Sequence, residues 1–151
     1  MKAIKSALIV VVATSALALL FACSTPPARM TDDDFVMRSL KIESPVAHLV
    51  SAFHDGFRYC GSLSGTGFFK VAHGVPDCGP PRPDGTAICD VYAGKSRDQS
   101  DLVLGRADFR PSQGGTLVVL KIQKWIADKE AILDTWEKFV LGRPEQACPA
   151  K

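Results

Sequence analysis

Histidine is scarce in this sequence, and closely spaced cysteine pairs are missing. The chain has 151 residues with 3 histidines and 5 cysteines, and none of its cysteines form a CxxC pair. Protein zinc sites and thiol redox centres are usually built from such pairs or from cysteine and histidine at short spacing. We therefore expect no metal site and no cofactor.

Signatures of catalysis and of nucleotide binding are also lacking. There is no GxSxG elbow, and the glycine-rich stretch GSLSGTG at 61–67 lacks the lysine and serine or threonine of a phosphate loop. A serine-histidine-acid site could draw on His54, Asp55 and a following serine. Adjacent helical residues point about 100° apart, however, so Asp55 cannot readily orient His54. We predict that the protein is not an enzyme.

A run of apolar residues long enough to cross a bilayer is missing as well. Residues 7–22 are apolar at all but two positions, and Lys2 and Lys5 precede them without any acidic residue. A membrane-spanning helix needs about 20 consecutive apolar residues. The order of basic, apolar and small residues is instead typical of a cleaved secretion signal.

The end of this run resembles the bacterial lipobox, in which a small residue precedes an essential cysteine. The residues are Leu20, Phe21, Ala22 and Cys23, and Phe21 departs from the pattern because a smaller residue is usual there. The resemblance implies that residues 1–22 are a lipoprotein signal peptide and that Cys23 is the lipidation site. Acyl chains such as palmitate gain about 0.8 kcal/mol per buried methylene, and several chains together form a stable membrane anchor.

The residue after Cys23 bears on the membrane to which the protein is attached. In lipoproteins of this type an aspartate at that position favours retention in the inner membrane, and here the residue is Ser24. The resemblance therefore implies a lipid-anchored protein of the outer membrane that faces the periplasm, with the inner membrane as the less favoured location.

An excess of charge is absent once the signal is set aside. The formal charge of +2 equals the contribution of Lys2 and Lys5, so the remainder of the chain is balanced. Such a balance provides no long-range attraction for nucleic acid. The expected partners are the lipid bilayer, contacted through acylated Cys23, and an envelope protein.

The segment after the cysteine is polar and rich in proline. Residues 23–42 include STPPARMTDDD, which predicts a lipidated flexible tether between the membrane and the domain at 43–151. The three consecutive aspartates lack the alternating ligands and terminal glutamate of a calcium loop, so they read as a solvated charge run.

The remaining sequence predicts an α+β domain. Apolar residues recur at helical spacing over 45–59 and again from Asp128 to the stop at Gly142, and four short β-branched or aromatic segments lie between them. We predict a two-layer sandwich in the order helix, four-stranded antiparallel meander, helix. The expected strands are Gly67–Ala72, Thr86–Ala93, Asp101–Phe109 and Thr116–Ile122.

Four cysteines remain beside Cys23, and an even number in an exported chain indicates two disulfides. In the predicted layout, Cys60–Cys148 would tie the end of the first helix to the chain after the second, and Cys78–Cys89 would staple the proline-rich loop to a strand. The rival pairing is Cys60–Cys89 with Cys78–Cys148.

The proline-rich loop HGVPDCGPPRPDG is the candidate partner-binding loop. It carries His73, Asp77 and Arg82, and Trp125 at the junction of a strand and a helix is a further candidate contact. A disulfide-held surface loop needs no ligand to exist, and packing at the core edge is the competing interpretation of Trp125. Trp136 falls on the apolar stripe of the second helix and is expected in the core.

Three classes of function fit these features. The favoured one is a non-catalytic, membrane-anchored envelope lipoprotein that binds protein or takes part in envelope assembly. The first alternative is an inhibitor or immunity-type lipoprotein whose proline-rich loop blocks a partner enzyme. The second is a cell-wall hydrolase, which would require a cleft lined by His54, His73 and a carboxylate. A protein partner would leave an exposed apolar patch of several hundred Å².

Overall fold

A five-stranded antiparallel sheet forms one layer of the computed structural model, which describes residues 30–62, 74–94 and 102–148. The strand order is β1-β5-β4-β3-β2. The strands are β1 (Phe35–Ile42), β2 (Gly74–Cys78), β3 (Ala87–Ala93), β4 (Val103–Ser112) and β5 (Gly115–Gln123). The predicted α+β fold with an antiparallel meander is confirmed, but the sheet has five strands rather than four.

Three helices in the described ranges form the second layer. They are α1 (Val46–Ser62), α2 (Lys129–Val140) and the short α3 (Pro144–Ala147). A 3-10 turn at Asp32–Asp34 precedes β1. The described residues from Thr31 onward belong to one compact unit.

The first strand corrects the predicted tether. Residues 35–42 pair along their whole length with β5, from Phe35 opposite Gln123 to Ile42 opposite Thr116. The guanidinium of Arg38 on β1 also contacts three acidic residues of α2, at 3.3 Å from Glu130, 2.6 Å from Asp134 and 3.0 Å from Glu137. The tether interpretation is therefore wrong for 35–42, because distant residues supply the partners for this polar alternating segment.

The second strand lies within the proline-rich segment. Pro76 sits in β2, which is an edge strand that pairs only with β3 among the described strands. A proline is tolerated in an edge strand because it has no backbone N–H to donate, and the outer side of the strand needs no donor. The strand predicted at Gly67–Ala72 lies outside the described residues.

Both predicted long helices are present, with local differences at their ends. At the start of helix α1 the N–H groups of His48 and Leu49 donate to Pro45 O, and the Ser44 hydroxyl lies 3.0 Å from His48 Nδ1. Helix α2 ends at Val140, and Gly142, two residues later, has a φ of 68° that suits glycine. The N–H groups of Gly142 and Arg143 donate to Phe139 O and Lys138 O, which is the hydrogen-bond pattern of a Schellman motif.

The core lies between the helices and one face of the sheet. Phe53, Phe57, Phe109, Trp136 and Phe139 form a chain of edge-to-face ring contacts with centroids 5.1–5.9 Å apart. Trp136 is 1% exposed, as expected from its position on the apolar stripe. Each such aromatic pair adds about 0.5–1.5 kcal/mol to the gain from burial.

Two disulfides, Cys60–Cys148 and Cys78–Cys89, are formed, in the preferred pairing. Cys60–Cys148 joins the end of α1 to the residue after α3 across a sequence separation of 88, and Cys78–Cys89 joins directly opposed residues of β2 and β3 across a separation of 11. The chain-entropy model assigns about 4–5 kcal/mol to the longer loop and about 3 kcal/mol to the shorter one.

A search for membrane-spanning helices among the described residues found none of sufficient length and apolar character.

Candidate functional site

The face of the sheet that points away from the helices carries a row of charged side chains. The strand register places Lys121, Arg106, Asp90 and Asp77 side by side on β5, β4, β3 and β2. Arg106 Nε donates to Asp90 Oδ1 at 2.7 Å, and this bond outweighs desolvation and raises the pKa of Arg106. The open face therefore carries a row of charges across four strands.

One ion pair of this open face is almost shielded from solvent. Lys121 Nζ lies 2.8 Å from Asp108 Oδ2 and 2.7 Å from Asp32 Oδ1, while Lys121 and Asp108 are each 5% exposed. Burial alone would lower the pKa of Lys121, but its hydrogen bonds to Asp108 and Asp32 outweigh that effect and raise it. The bond from Lys121 also lowers the pKa of Asp32.

The loop between β2 and β3 has a defined shape that follows from its residues. Gly85 N–H donates to Arg82 O at 2.9 Å, so Arg82-Pro83-Asp84-Gly85 forms a β-turn with proline at its second position. Asp84 Oδ1 accepts hydrogen bonds from the Thr86 backbone at 3.0 Å and hydroxyl at 2.7 Å, and these bonds lower the pKa of Asp84. Because Cys78–Cys89 clamps the base, the turn is held in place at both ends.

This turn forms one wall of a groove over the open face, which we call the Arg82 groove. Its volume is about 310 Å³, at the lower end of the size of small-molecule sites in proteins. The floor and far wall come from β3 and β4. The lining residues are Arg82, Asp84, Thr86, Ala87, Ile88, Asp108 and Arg110.

The charges in the groove are only partly matched. Arg110 Nη2 lies 3.3 Å from Asp108 Oδ2, the oxygen that also contacts Lys121, while Asp108 Oδ1 is buried and has no hydrogen-bond partner among the described residues. The side chain of Arg82 is exposed and makes no ion pair within the described part of the chain. Asp108 Oδ1 can therefore accept a further hydrogen bond. A buried acceptor without a partner lowers the stability of the fold by about 1–3 kcal/mol.

The predicted site residues are not gathered at one place. Cys23 and His73 lie outside the described residues. Arg82 lines the groove, but Asp77 is on β2 in the row of charges, opposite Asp90. The partner-binding role of the proline-rich loop stays a prediction, and the residues of the opposite wall of the groove were not among those named for it.

Trp125 occupies a separate region. Its ring N–H donates to Gln123 Oε1 at the end of β5, and the residue is 58% exposed. Arg110 pairs with Leu117, and the path along β5 from Leu117 to Gln123 is about 20 Å at 3.3 Å per residue. Trp125 therefore does not form a common site with the groove. The other exposed large apolar residues, Met37 and Leu141, lie on β1 and after α2.

The geometry favours an anion over a cation in the groove. No group of three or more potential metal ligands occurs among the described residues, and the two arginines would repel a metal ion. Guanidinium groups are suited to carboxylate or phosphate oxygens, which they bind by paired hydrogen bonds. His54, considered above for catalysis, is exposed on α1 in the helix layer.

The residues of the far wall, Asp108 and Arg110, were missed in the sequence. The signal for them is the alternation on β4, where the charged residues Arg106, Asp108 and Arg110 are separated by Ala107 and Phe109. This pattern assigns the three side chains to the face opposite the core. It does not reveal that the proline-rich loop folds over the same position, because that contact depends on the pairing of β3 with β4.

Comparisons with known proteins provide no information about function. No family model matches the chain, and no curated protein sequence matches it. Among solved structures, an uncharacterised protein from Rhizobium leguminosarum is similar at 13% sequence identity and a TM-score of 0.30. The match covers 78% of this chain and 95% of that one.

Proposed function

We propose that this protein is a lipoprotein of the bacterial envelope and that its folded domain is a non-catalytic module that binds a protein partner. The supporting observation is the Arg82 groove, a polar recess with one wall clamped by Cys78–Cys89. A preformed recess binds with less loss of conformational entropy than a flexible loop. The groove needs no catalytic group to serve this purpose.

Export and lipid attachment form the first half of the proposal. The lipobox-like residues Leu20 to Cys23 support attachment through acylated Cys23, and Ser24 supports a location at the periplasmic side of the outer membrane. The two disulfides support an oxidising compartment, because such bonds are rare in the cytosol.

Metabolic labelling with a palmitate analogue tests this half. The wild type is expected to take up the label, and Cys23→Ser is expected to lose both the label and membrane retention. The matched control is Ser24→Ala, which leaves the cysteine in place. Equal labelling of wild type and Cys23→Ser would refute lipid attachment at this residue.

Crosslinking in intact cells tests the binding half. A photoreactive residue at Pro83, which is exposed in the turn beside the groove, is expected to capture an envelope protein. The same residue at Glu145, exposed on α3 in the helix layer, is the control for collisions at the surface. An identical crosslinking pattern at both sites would refute a specific partner at the groove.

An inhibitory version of the same function is favoured by one feature. Residues 79–84 are exposed as a group beyond the disulfide, so the turn could enter the cleft of a partner enzyme. If the captured partner is an enzyme, adding the purified protein should lower its activity, and replacing residues 80–83 by glycine and serine should abolish the inhibition. Retained inhibition after the replacement would exclude this version.

A further inference from the structure

We propose that the Arg82 groove recognises the carboxyl-terminal end of a peptide chain, with its arginines on the terminal carboxylate and Asp108 on a backbone N–H of the ligand. This inference rests on the proposed binding function and specifies the chemistry of the partner. It follows from three properties of the groove, which are its cations, its acceptor and its size.

The cations define the ligand's charge. Arg82 is exposed without an ion-pair partner in the described part of the chain, and Arg110 has a side chain that is 55% exposed and 3.3 Å from Asp108. A carboxylate offers two oxygens in the plane that a guanidinium matches. Ligand binding draws Arg110 from Asp108 to the new carboxylate, and this movement opens the Asp108 side chain to the ligand.

The acidic residues of the groove separate a carboxylate from a phosphate. Asp84 and Asp108 both line the recess, so the site already holds two negative charges. With Arg82 and Arg110 the lining is balanced and offers no excess positive charge, whereas a phosphate group carries a charge of about −1.5 to −2 at neutral pH and a carboxylate carries only one. The groove is therefore suited to an anion of low charge.

The free acceptor atom, Asp108 Oδ1, favours a ligand that carries a hydrogen-bond donor next to its carboxylate. Asp108 uses Oδ2 for Lys121 and Arg110, and its Oδ1 has no partner in the described ranges. At the end of a peptide chain the last amide N–H lies close to the terminal carboxylate, so one ligand supplies both groups. A simple carboxylic acid supplies only the first.

The size of the recess restricts how much of the chain it holds. A volume of about 310 Å³ accommodates only a few small residues, and the turn at Arg82–Gly85 closes one side. The source of such an end is the carboxyl terminus of the envelope protein that the proposed function takes as partner.

Titration of the full-length protein in detergent micelles tests the inference. The probe is N-acetyl-Ala-Ala with a free carboxylate, and heteronuclear NMR follows the Thr86 amide and the Arg82 side-chain signal. We expect saturable shifts with the acid and binding at least about tenfold weaker with the C-terminal amide, because a charged hydrogen-bond pair is lost. Acetate should also bind more weakly than the peptide because it has no N–H donor.

Variants assign the effect to the groove. Arg82→Gln should weaken binding of the acid at least about tenfold. Its control is Arg58→Gln, which changes an exposed arginine on α1 and should leave binding unchanged. A thermal melt of each variant verifies that the fold is retained.

Three results would overturn the inference. They are equal affinity for the acid and the amide, tighter binding of inorganic phosphate than of the peptide, and no saturable shift with the acid. The proposed binding function is judged separately by the crosslinking from Pro83. Capture of a partner there, combined with indifference to the carboxylate, would retain the binding function and refute the carboxylate chemistry.

Discussion

On the helix-covered face of the sheet, Val118, Leu120 and Ile122 of β5 are fully buried, whereas on the open face Leu117 and Val119 of the same strand are only half-buried. The covered face gains stability mainly from area and close packing, which depend on shape. The open face depends on a few polar contacts and leaves Asp108 Oδ1 without a partner. The two faces of the sheet thus differ in their contacts, with apolar packing on one side and charged pairs on the other.

The largest expected effect lies on the covered face. Phe53 is fully buried and its ring contacts those of Phe57, Phe109 and Trp136. Phe53→Ala should lower the free energy of unfolding by about 3–5 kcal/mol, since it removes apolar contacts and leaves a cavity. Urea denaturation measures the change. The control is Met37→Ala at a residue that is 48% exposed on the open face, with an expected change within about 0.5 kcal/mol. Equal losses at both sites would contradict the contrast between the faces.

A second effect tests the buried ion pair on the open face. Lys121→Met removes the cation that contacts Asp108 and Asp32, leaving the Asp108 carboxylate with Arg110 alone. The expected loss is about 3 kcal/mol in urea denaturation, because an incompletely paired buried charge remains. Lys41→Met, at an exposed position of β1, is the matched control. If the free energy of unfolding fell by less than about 1 kcal/mol, the Lys121 pair would contribute no more than an ordinary surface ion pair.

The third effect concerns the packing of α1 against α2. A Cβ added at Gly56 would overlap the ring of Phe139, whereas one added at Gly61 of the same helix meets nothing within 4 Å. Gly56→Ala should therefore destabilise the protein by about 1–3 kcal/mol. Gly61→Ala should stabilise it by up to about 1 kcal/mol, because alanine favours a helix. Thermal denaturation of the two variants gives the comparison, and stabilisation by Gly56→Ala would show that the helices are not in close contact there.

The smallest expected effect is a pH dependence on the open face. Lys121 lowers the pKa of Asp32 below its ordinary value of 3.8, so the unfolded chain binds this proton at higher pH than the folded one. The stabilisation is present above the ordinary pKa and is lost as the pH falls through the lowered pKa of the folded state. The melting temperature of the wild type should thus decline more steeply below about pH 5 than that of Asp32→Asn. Parallel curves would refute the coupling, and Asp33→Asn provides the control for loss of a neighbouring charge.

Local patterns in the sequence were sufficient to predict both long helices and three of the five strands. In α2, Ile132, Leu133, Trp136, Phe139 and Val140 recur at helical spacing and all are buried. In β3, Cys89 and Val91 are two residues apart and therefore share a face, and both are fully buried. These elements could be predicted because the apolar period directly reports which face is buried.

The segments that were missed depend on distant partners. Residues 35–42 contain Arg38, Ser39 and Lys41, which by composition favour a solvated tether. Pairing with β5 and the three carboxylates of α2 turn them into an edge strand. Local propensity carries no information about partners that lie 74 to 88 residues away in the chain.

The sequence by itself determined the alternation of apolar and polar residues, the glycines and prolines that end helices and strands, and the number of cysteines. Only the tertiary structure decided that β1 closes one edge of the sheet and that the turn at Arg82 lies over Asp108 and Arg110. The reason is that backbone preference and burial act between near neighbours, whereas a groove is formed when strand pairing brings separate segments side by side.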